Sequence, residues 1–489
     1  MDEEKIKIFY QNWLNVVSQQ ADGYIYDEER NLLPTRDIFS KFKILIEKFL
    51  ENQLEEYEKI WILPGIRGTG KTTLLMQLYK IERFLKPDDQ NILKNIGKLE
   101  EIFYLDVSKL KLNNISLNEF FNFYEKAKGF NFVSLDRKLL LLLDEVHYDE
   151  NWGLFLKVLF DSTKGHKNLF VIATGSSAIS LRMNPDLYRR TTVMEVFPMK
   201  FSEFLILKYN KKLPVANLQD GIHEIIFNSS DAREVYLGLN QYAMEIDKFF
   251  ANLQPNVEEG FFENGGLPST IKITNKVKAT EMIKAAINSI IAKDIIGMEK
   301  FKTQTIAKIY DLLYLLANSD TISYEKIKKS LKIERFETLD SLIEVLGMAG
   351  VLIKVKSYGM TYGPVRKTPK LLFITSSLRS AILDNQFWPG IEGKKLEDYF
   401  ALIYVEGLKN KLAVDLFYDI SEGGADFILT LKDKSKIIIE VGFNKEEIRQ
   451  VMNTQNKVKG KYGLVFGSSK LELVDDFVIK IPLKYLLLI

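Results

Sequence analysis

Ile60-Trp61-Ile62-Leu63-Pro64-Gly65-Ile66-Arg67-Gly68-Thr69-Gly70-Lys71-Thr72-Thr73 is the stretch whose reading decides the fold. Ile60–Leu63 is an apolar run of strand length, and Thr73–Leu85 carries helical spacing. Between them, Gly65–Thr72 fits G-x-x-x-x-G-K-T in the strand–loop–helix context that gives this pattern its meaning. The glycines let backbone N–H groups turn inward around a phosphate, and the following helix N-terminus adds positive potential. The predicted phosphate loop comprises Gly65, Arg67, Gly68, Thr69, Gly70, Lys71, Thr72 and Thr73. Lys71 is expected to reach the β- and γ-phosphates, and the Thr72 hydroxyl to hold Mg²⁺. The ligand expected is a nucleoside triphosphate, ATP with Mg²⁺.

A second motif lies roughly 70 residues downstream. In Leu139-Leu140-Leu141-Leu142-Leu143-Asp144-Glu145, five apolar residues carry two acids to the carboxyl end of a buried strand, where open α/β sheets bind ligands. Asp144 is expected to hold Mg²⁺, directly or through water, and Glu145 to polarise the attacking water. A strand that merely ends in two solvated acids is common; its pairing with the phosphate loop favours the chemical reading. His147 and Trp152 read as a surface histidine and a packing tryptophan.

The next apolar run, Leu169–Ala173, leads into Thr174-Gly175-Ser176-Ser177. Thr174 and Ser176 are candidate contacts to the γ-phosphate or the water, with an ordinary turn and helix cap as the equal alternative. Arg182, Arg189 and Arg190 follow, any one of which is a candidate for neutralising transition-state charge.

Working outward, Lys59–Pro198 alternates short apolar runs with helical patterns, the signature of stacked βα units and a parallel sheet. Its strands are expected at Ile60–Leu63, Ile102–Val107, Leu139–Leu143, Leu169–Ala173 and Val193–Phe197. Spacing is helical from Lys200 to Lys300, broken at Asn264–Pro268. Thr303–Lys356 reads as three helices and two short strands, a winged helix-turn-helix. Its third helix, Glu334–Leu346, carries Glu334, Glu337, Asp340 and Glu344 against Arg335, a balance that disfavours DNA groove reading. The tail, from about Trp388, mixes a helix at Leu396–Leu408 with strands at Ala413–Tyr418, Asp426–Leu431, Ile437–Val441 and Tyr462–Phe466.

Bulk composition sets the outer limits. At 489 residues the chain is too long for one core. Lys+Arg is 67 against Asp+Glu 65, a net +2 that argues against a globally basic nucleic-acid coat. Cys is absent and His occurs three times, which excludes disulfides and thiolate sites and disfavours a His-rich metal centre. The apolar runs are far short of a membrane span, so a cytoplasmic protein is expected. The abundance of Lys, Glu and Ile leans towards a thermophilic source.

Together, Gly65–Thr72, Leu143-Asp144-Glu145-Val146-His147, Trp152, Thr174-Gly175-Ser176-Ser177 and Pro198-Met199-Lys200-Phe201-Ser202-Glu203-Phe204 resemble a family of archaeal and bacterial AAA+-type P-loop ATPases. Gly265-Gly266-Leu267-Pro268 matches the family's lid motif. Arg190 stands where the family places its arginine, with Arg189 in place of the preceding glycine and Met199-Lys200 in place of Leu-Ser. The resemblance covers about residues 36–270. It implies an α/β fold: a P-loop parallel sheet followed by a helical lid, a winged helix and a small α/β nuclease-like domain. The expected divisions are 1–35, an N-terminal helical segment; 36–200, the ATPase core; 201–300, the lid; 301–365, the winged helix; and 366–489, the nuclease-like domain.

In that last domain Glu397, Asp426 and Glu440 resemble the three carboxylates of a PD-(D/E)XK nuclease, a candidate second metal site. The lysine expected two residues after Glu440 is Gly442, with Lys445 a substitute three residues on. A degenerate fold used for binding is the alternative.

The expected function is Mg-dependent ATP hydrolysis, coupled to movement of the lid and C-terminal domains. Lys71, Thr72, Asp144 and Glu145 carry the chemistry, with Arg190 a candidate finger. ATP and ADP are the expected ligands; DNA, a protein partner and a homo-oligomer are candidate partners. The alternatives are a nucleotide-gated switch acting on a protein partner and an ATP-dependent nuclease.

Overall fold

The computed structural model describes residues 3–176, 187, 189–215, 217–295, 303–319, 323–359, 369–385, 390–409 and 414–489. Ser177 and Arg182 lie outside them. The chain divides into two compact units, Met1–Val196 and Phe197–Ile489.

The first unit is built on five strands: β1 (Ile60–Pro64), β2 (Leu99–Asp106), β3 (Lys138–Asp144), β4 (Leu169–Gly175) and β5 (Thr192–Val193). They lie in the order β2-β3-β4-β1-β5, and every pairing is parallel. All residues of β1, β3 and β4 are buried, because helices cover both faces and leave no polar side for alternation. The sheet is therefore the α/β arrangement expected of a P-loop fold.

Two helices precede β1. α1 (Glu3–Ile25) buries Ile6, Tyr10, Trp13, Val17, Ala21 and Ile25, a stripe with steps of three and four. These residues join the same core as the sheet rather than forming a separate segment. Trp13 Nε1 donates to the Tyr104 carbonyl at 2.7 Å, tying α1 to β2. Tyr10 packs with Phe103, Phe120, Phe123 and Tyr124, and the Phe103 and Tyr124 rings lie 4.6 Å apart. Such ring pairs add about 0.5–1.5 kcal/mol each beyond burial. α2 (Asp37–Leu50) follows, and α3 (Lys71–Tyr79) springs directly from the loop after β1.

Three sequence expectations need correction. α3 begins at Lys71 and ends at Tyr79, and the apolar spacing beyond it belongs to a 3-10 turn, Ile81–Phe84, that buries Ile81. β2 starts at Leu99 and stops at Asp106, whose side chain accepts from Ser108 N–H and starts a new helix. Only Thr192–Val193 is regular strand in the fifth run. The chain stays beside β1, with Met194 N–H donating to Ile62 O and Val196 N–H to Pro64 O, but Pro198 cannot extend a ladder.

The second unit opens with helices at Phe201–Tyr209, Leu218–Asn228, Ala232–Asn240, Ala243–Ala251 and Lys276–Ser289. Helices at Ile309–Asn318, Tyr324–Leu331 and Phe336–Met348 follow, and the Ser323 side chain caps the second by accepting from Lys326 N–H. The chain then enters an eight-stranded sheet: β6 (Leu352–Ser357), β7 (Lys370–Phe373), β8 (Asp415–Tyr418), β9 (Phe427–Thr430), β10 (Lys436–Val441), β11 (Tyr462–Ser468), β12 (Glu472–Val474) and β13 (Val478–Pro482). Its order is β12-β13-β11-β10-β9-β8-β6-β7. The helix Ile391–Ile403 precedes β8 and carries Glu397 and Asp398, both buried. No helix among the described residues is long and apolar enough to cross a membrane.

Candidate active site

The parallel register brings the ends of β1, β4 and β3 side by side, with β4 between the other two. Leu63 pairs with Thr174, and Leu143 with Ala173. The loop after β1 therefore faces Asp144 across Thr174.

Within the loop, Gly68 and Gly70 have φ of 88° and 87°, a left-handed conformation that a side chain would strain. A Cβ at Gly65 would lie 2.5 Å from the Val196 carbonyl oxygen. The Thr69 hydroxyl donates to Ile66 O at 2.9 Å and closes the turn, which engages its proton within the loop. Lys71 is buried, its ammonium donating to Gly65 O at 2.7 Å and Ile66 O at 3.0 Å. Arg67 Nε and Nη2 are buried and have no hydrogen-bond partner among the described residues. Thr72 and Thr73 are half-buried on the first turn of α3.

Asp144 is the centre of the arrangement. Its carboxylate accepts from the Thr174 hydroxyl and from Tyr104 Oη at 3.0 Å, and the Thr72 hydroxyl stands close enough to favour its charge. Burial pushes the Asp144 carboxyl up, the Thr174 and Thr72 hydroxyls pull it back, and the charges of Glu145 and Asp106 push it up again. Glu145 stands at φ 53°, an uncommon conformation for a side chain of its size that costs on the order of 1–3 kcal/mol and is frequent at functional sites. Its Oε2 accepts from Ser176 Oγ at 2.9 Å and Ser176 N–H at 3.2 Å, and lies 3.2 Å from His147 Nδ1.

Thr72, Asp144 and Thr174 thus meet, and Glu145 meets Ser176. Trp152 is a packing residue at the start of its helix, as expected. Arg190 makes a two-pronged ion pair with Asp161, Nε to Oδ1 at 2.9 Å and Nη2 to Oδ2 at 3.2 Å.

Three residues at the site escape a reading of the sequence. Tyr104 reaches Asp144 from β2, and Asp106 lies in register with Asp144. Arg36, preceding α2, donates from Nη1 to Thr69 O at 2.8 Å and braces the loop from outside. Only β2's parallel neighbour relation to β3 could have flagged the first two, and nothing in the spacing flags Arg36.

In the second unit, Gly265-Gly266 packs against the helix Ser376–Ile382. Gly266 N–H donates to Ser377 Oγ at 3.0 Å, its carbonyl accepts from Met199 N–H at 2.8 Å, and a Cβ there would collide with Thr375. This motif is a close-packing device.

Glu397, Asp426 and Glu440 also gather. Asp426 N–H donates to Glu440 Oε2 at 3.1 Å, and Val441 N–H to Asp426 Oδ2 at 3.1 Å. Lys445 Nζ lies 2.7 Å from Glu440 Oε1, and its stem lies across the face of Gly442, where a Cβ would come within 3.3 Å of Lys445 Cδ. Burial, and then the Asp426 charge, push the Glu440 carboxyl up to about 7. Lys370, from β7, sits between Glu397 and Asp426.

A family profile described as "AAA domain" matches residues 57–205, spanning the phosphate loop, Asp144 and Thr174, and a second, described as a domain of unknown function, matches 259–387. Among solved structures, the Walker-type ATPase paby2304 of Pyrococcus abyssi aligns at TM-score 0.36 and 15% identity, over 71% of this chain and 95% of that one. The Orc1 protein of Aeropyrum pernix, solved with DNA, aligns at TM-score 0.29 and 12% identity, over 74% and 95%. By sequence, an uncharacterized protein of Haemophilus influenzae is 22% identical over 86% of this chain and 95% of its own length. The uncharacterized protein MJ1637 of Methanocaldococcus jannaschii is 33% identical over 454 residues, 91% of this chain and 87% of its own length. With that identity along nearly the whole of both chains, the chain belongs to the family of MJ1637, and the part of it around the site matches an AAA domain.

Proposed function

We propose that the chain binds ATP with Mg²⁺ in the loop Gly65–Thr73 and hydrolyses it to ADP. The observation that carries this reading is the meeting of the Thr72 hydroxyl with the Asp144 carboxylate beside Thr174. A hydroxyl from the first turn of α3 and a carboxylate from the end of β3 form the oxygen-rich donor set that suits Mg²⁺. The unpartnered Arg67 nitrogens suit an anionic ligand. When bound, Mg²⁺ supplies charge neutralisation for the phosphates.

The chain's own residues do the rest. The loop amides and Lys71 hold and orient the triphosphate. Glu145 orients and polarises the attacking water, and Ser176 fixes the Glu145 carboxylate. Thr174 positions Asp144. Arg190 is a finger candidate for a neighbouring subunit in a homo-oligomer, once released from Asp161. Nucleotide state drives movement of the lid and the C-terminal domain in this reading. The three helices and the β6–β7 pair support a winged-helix reading, and DNA remains a candidate substrate. The protein is expected to work in the cytoplasm.

One observation favours a second reading, a nucleotide-gated switch acting on a protein partner. Glu145 is engaged by Ser176 and faces His147, an arrangement that slows turnover until it is broken. Turnover with and without double-stranded, single-stranded and branched DNA separates the two readings. A motor sustains hydrolysis that DNA stimulates, and a switch retains its nucleotide with little stimulation. Lys71→Ala should lose ATP binding, whereas Glu145→Gln should bind ATP and lose about 10²–10⁴-fold in turnover. If titration with Mg-ATP releases no heat and shifts no melting point, the reading fails.

A further inference from the structure

We propose that the C-terminal carboxylate cluster is not a divalent-metal site, because the chain's own Lys370 occupies the position a metal ion would take. This goes beyond the ATP reading and does not depend on it. Lys370 Nζ bridges Glu397 Oε2 at 2.5 Å and Asp426 Oδ1 at 3.0 Å. Its side chain is 4% exposed, and the ammonium lies over the Phe427 ring, 4.7 Å from the centroid. Three further oxygens of the cluster are also engaged. Asp426 Oδ2 accepts from Val441 N–H, Glu440 Oε1 from Lys445 Nζ, and Glu440 Oε2 from Asp426 N–H.

A Mg²⁺ or Mn²⁺ ion needs carboxylate oxygens with free lone pairs and room for its waters. Here it would have to displace the ammonium of a side chain that is almost wholly buried, leaving that charge buried and unpaired, which is strongly unfavourable. Among the described residues, no group of three or more acids or histidines is arranged to hold a metal. Lys370 also comes from β7, a different element from the strand that supplies Glu440, so the cluster braces β7 to β9, β10 and the helix Ile391–Ile403. The cluster is then a structural brace in which a tethered cation fills the position a metal ion would take.

The test is Mn²⁺ titration of the full, nucleotide-free chain, followed by electron paramagnetic resonance of free Mn²⁺, in wild type, Asp426→Asn, Lys370→Met and Lys370→Met/Asp426→Asn. The expected result is no saturable site in wild type that depends on Asp426, and a new site in Lys370→Met that the double variant loses. Wild-type binding that survives Asp426→Asn lies elsewhere in the chain and agrees with the proposal. A wild-type site abolished by Asp426→Asn overturns it, and so does a folded Lys370→Met variant that gains no site. If Lys370→Met does not fold, the wild-type and Asp426→Asn titrations decide alone.

Discussion

The Arg36 guanidinium donates to the Thr69 carbonyl at 2.8 Å, so a residue 33 positions upstream holds the outer wall of the phosphate loop. A hydrogen bond from a charged donor contributes about 1.5–3 kcal/mol when buried, and less in this half-buried setting. Arg36→Ala should weaken ATP binding about 5–30-fold, corresponding to about 1–2 kcal/mol. Arg36→Lys should recover part of that. Titration with a fluorescent ATP analogue checks it, and equal affinities for wild type and Arg36→Ala would show that the loop holds its shape unaided.

Asp144 receives two hydroxyls from flanking strands, Thr174 from β4 and Tyr104 from β2. These orient the carboxylate without touching the nucleotide in the proposed reading. Outer-shell partners of this kind typically influence metal affinity by about 10–100-fold. Tyr104→Phe and Thr174→Val should therefore raise the Mg²⁺ concentration for half-maximal ATPase by about 10-fold, with metal-free nucleotide binding unchanged. An Mg²⁺ titration at fixed ATP reads the effect, and an unmoved midpoint refutes it.

The first unit was legible because its signals are local. Leu139–Leu143 is apolar throughout, and only a strand covered on both faces makes use of that. The phosphate loop combines spacing with flanking elements. Strand ends were harder, since Asp106 stops β2 by capping a helix and Pro198 limits β5 through what it cannot donate. Partners from distant segments were not legible at all. Tyr104 reaches Asp144 only because β2 and β3 are neighbours in register, and Lys370 reaches Glu397 and Asp426 across 27 and 56 positions of chain. The three carboxylates and Lys445 could be listed from the sequence, but not Lys370, which bridges Glu397 and Asp426.

Arg379 and Asp398 form a fully buried pair, with both side chains at 0% exposure. Arg379 Nε and Nη2 donate to the carboxylate at 2.7 and 2.8 Å, and Nη1 donates to the carbonyls of Leu316 and Ala317, closing the end of the helix Ile309–Asn318. Removing one partner strands the other charge. Arg379→Met should cost about 3–5 kcal/mol of second-unit stability. Arg379→Met/Asp398→Leu should recover much of it, because the paired charges carry a desolvation cost of their own. Urea denaturation followed by fluorescence distinguishes this from a dispensable pair, for which the single variant would match wild type.

Lys138 opens β3 and donates to the carbonyls of Phe49 and Lys167 and to Asn52 Oδ1. Burial, aided by the nearby charges of Lys98 and Lys167, pulls its ammonium down to about 8. Below that pH both folded and unfolded chains carry the proton and the burial penalty is felt in full. Between about pH 8 and the ordinary lysine value near 10.4, the folded chain has released a proton that the unfolded chain retains, so stability rises with pH. With allowance for partial solvent screening, this contribution is about 1–2 kcal/mol. Lys138→Arg, which stays charged throughout, should remove that rise, and identical pH profiles for the two proteins would contradict it.

Arg190 is engaged twice over by Asp161, at an exposed position on the helix Trp152–Ser162. An exposed pair is worth little, so its release in favour of a phosphate on a neighbouring subunit is easily offset. Two consequences distinguish a finger from a surface ion pair. Arg190→Ala should reduce turnover by a factor approaching about 10³, since an arginine supplied in trans is worth that much or more. Asp161→Asn, which frees the guanidinium, should leave turnover at or above wild type. Arg190→Ala and Glu145→Gln chains fail for different reasons, so mixing them should restore activity if each site takes its arginine from a neighbour. A mixture as inactive as its components would confine Arg190 to its own subunit, and full activity of Arg190→Ala alone would leave it no part in the reaction.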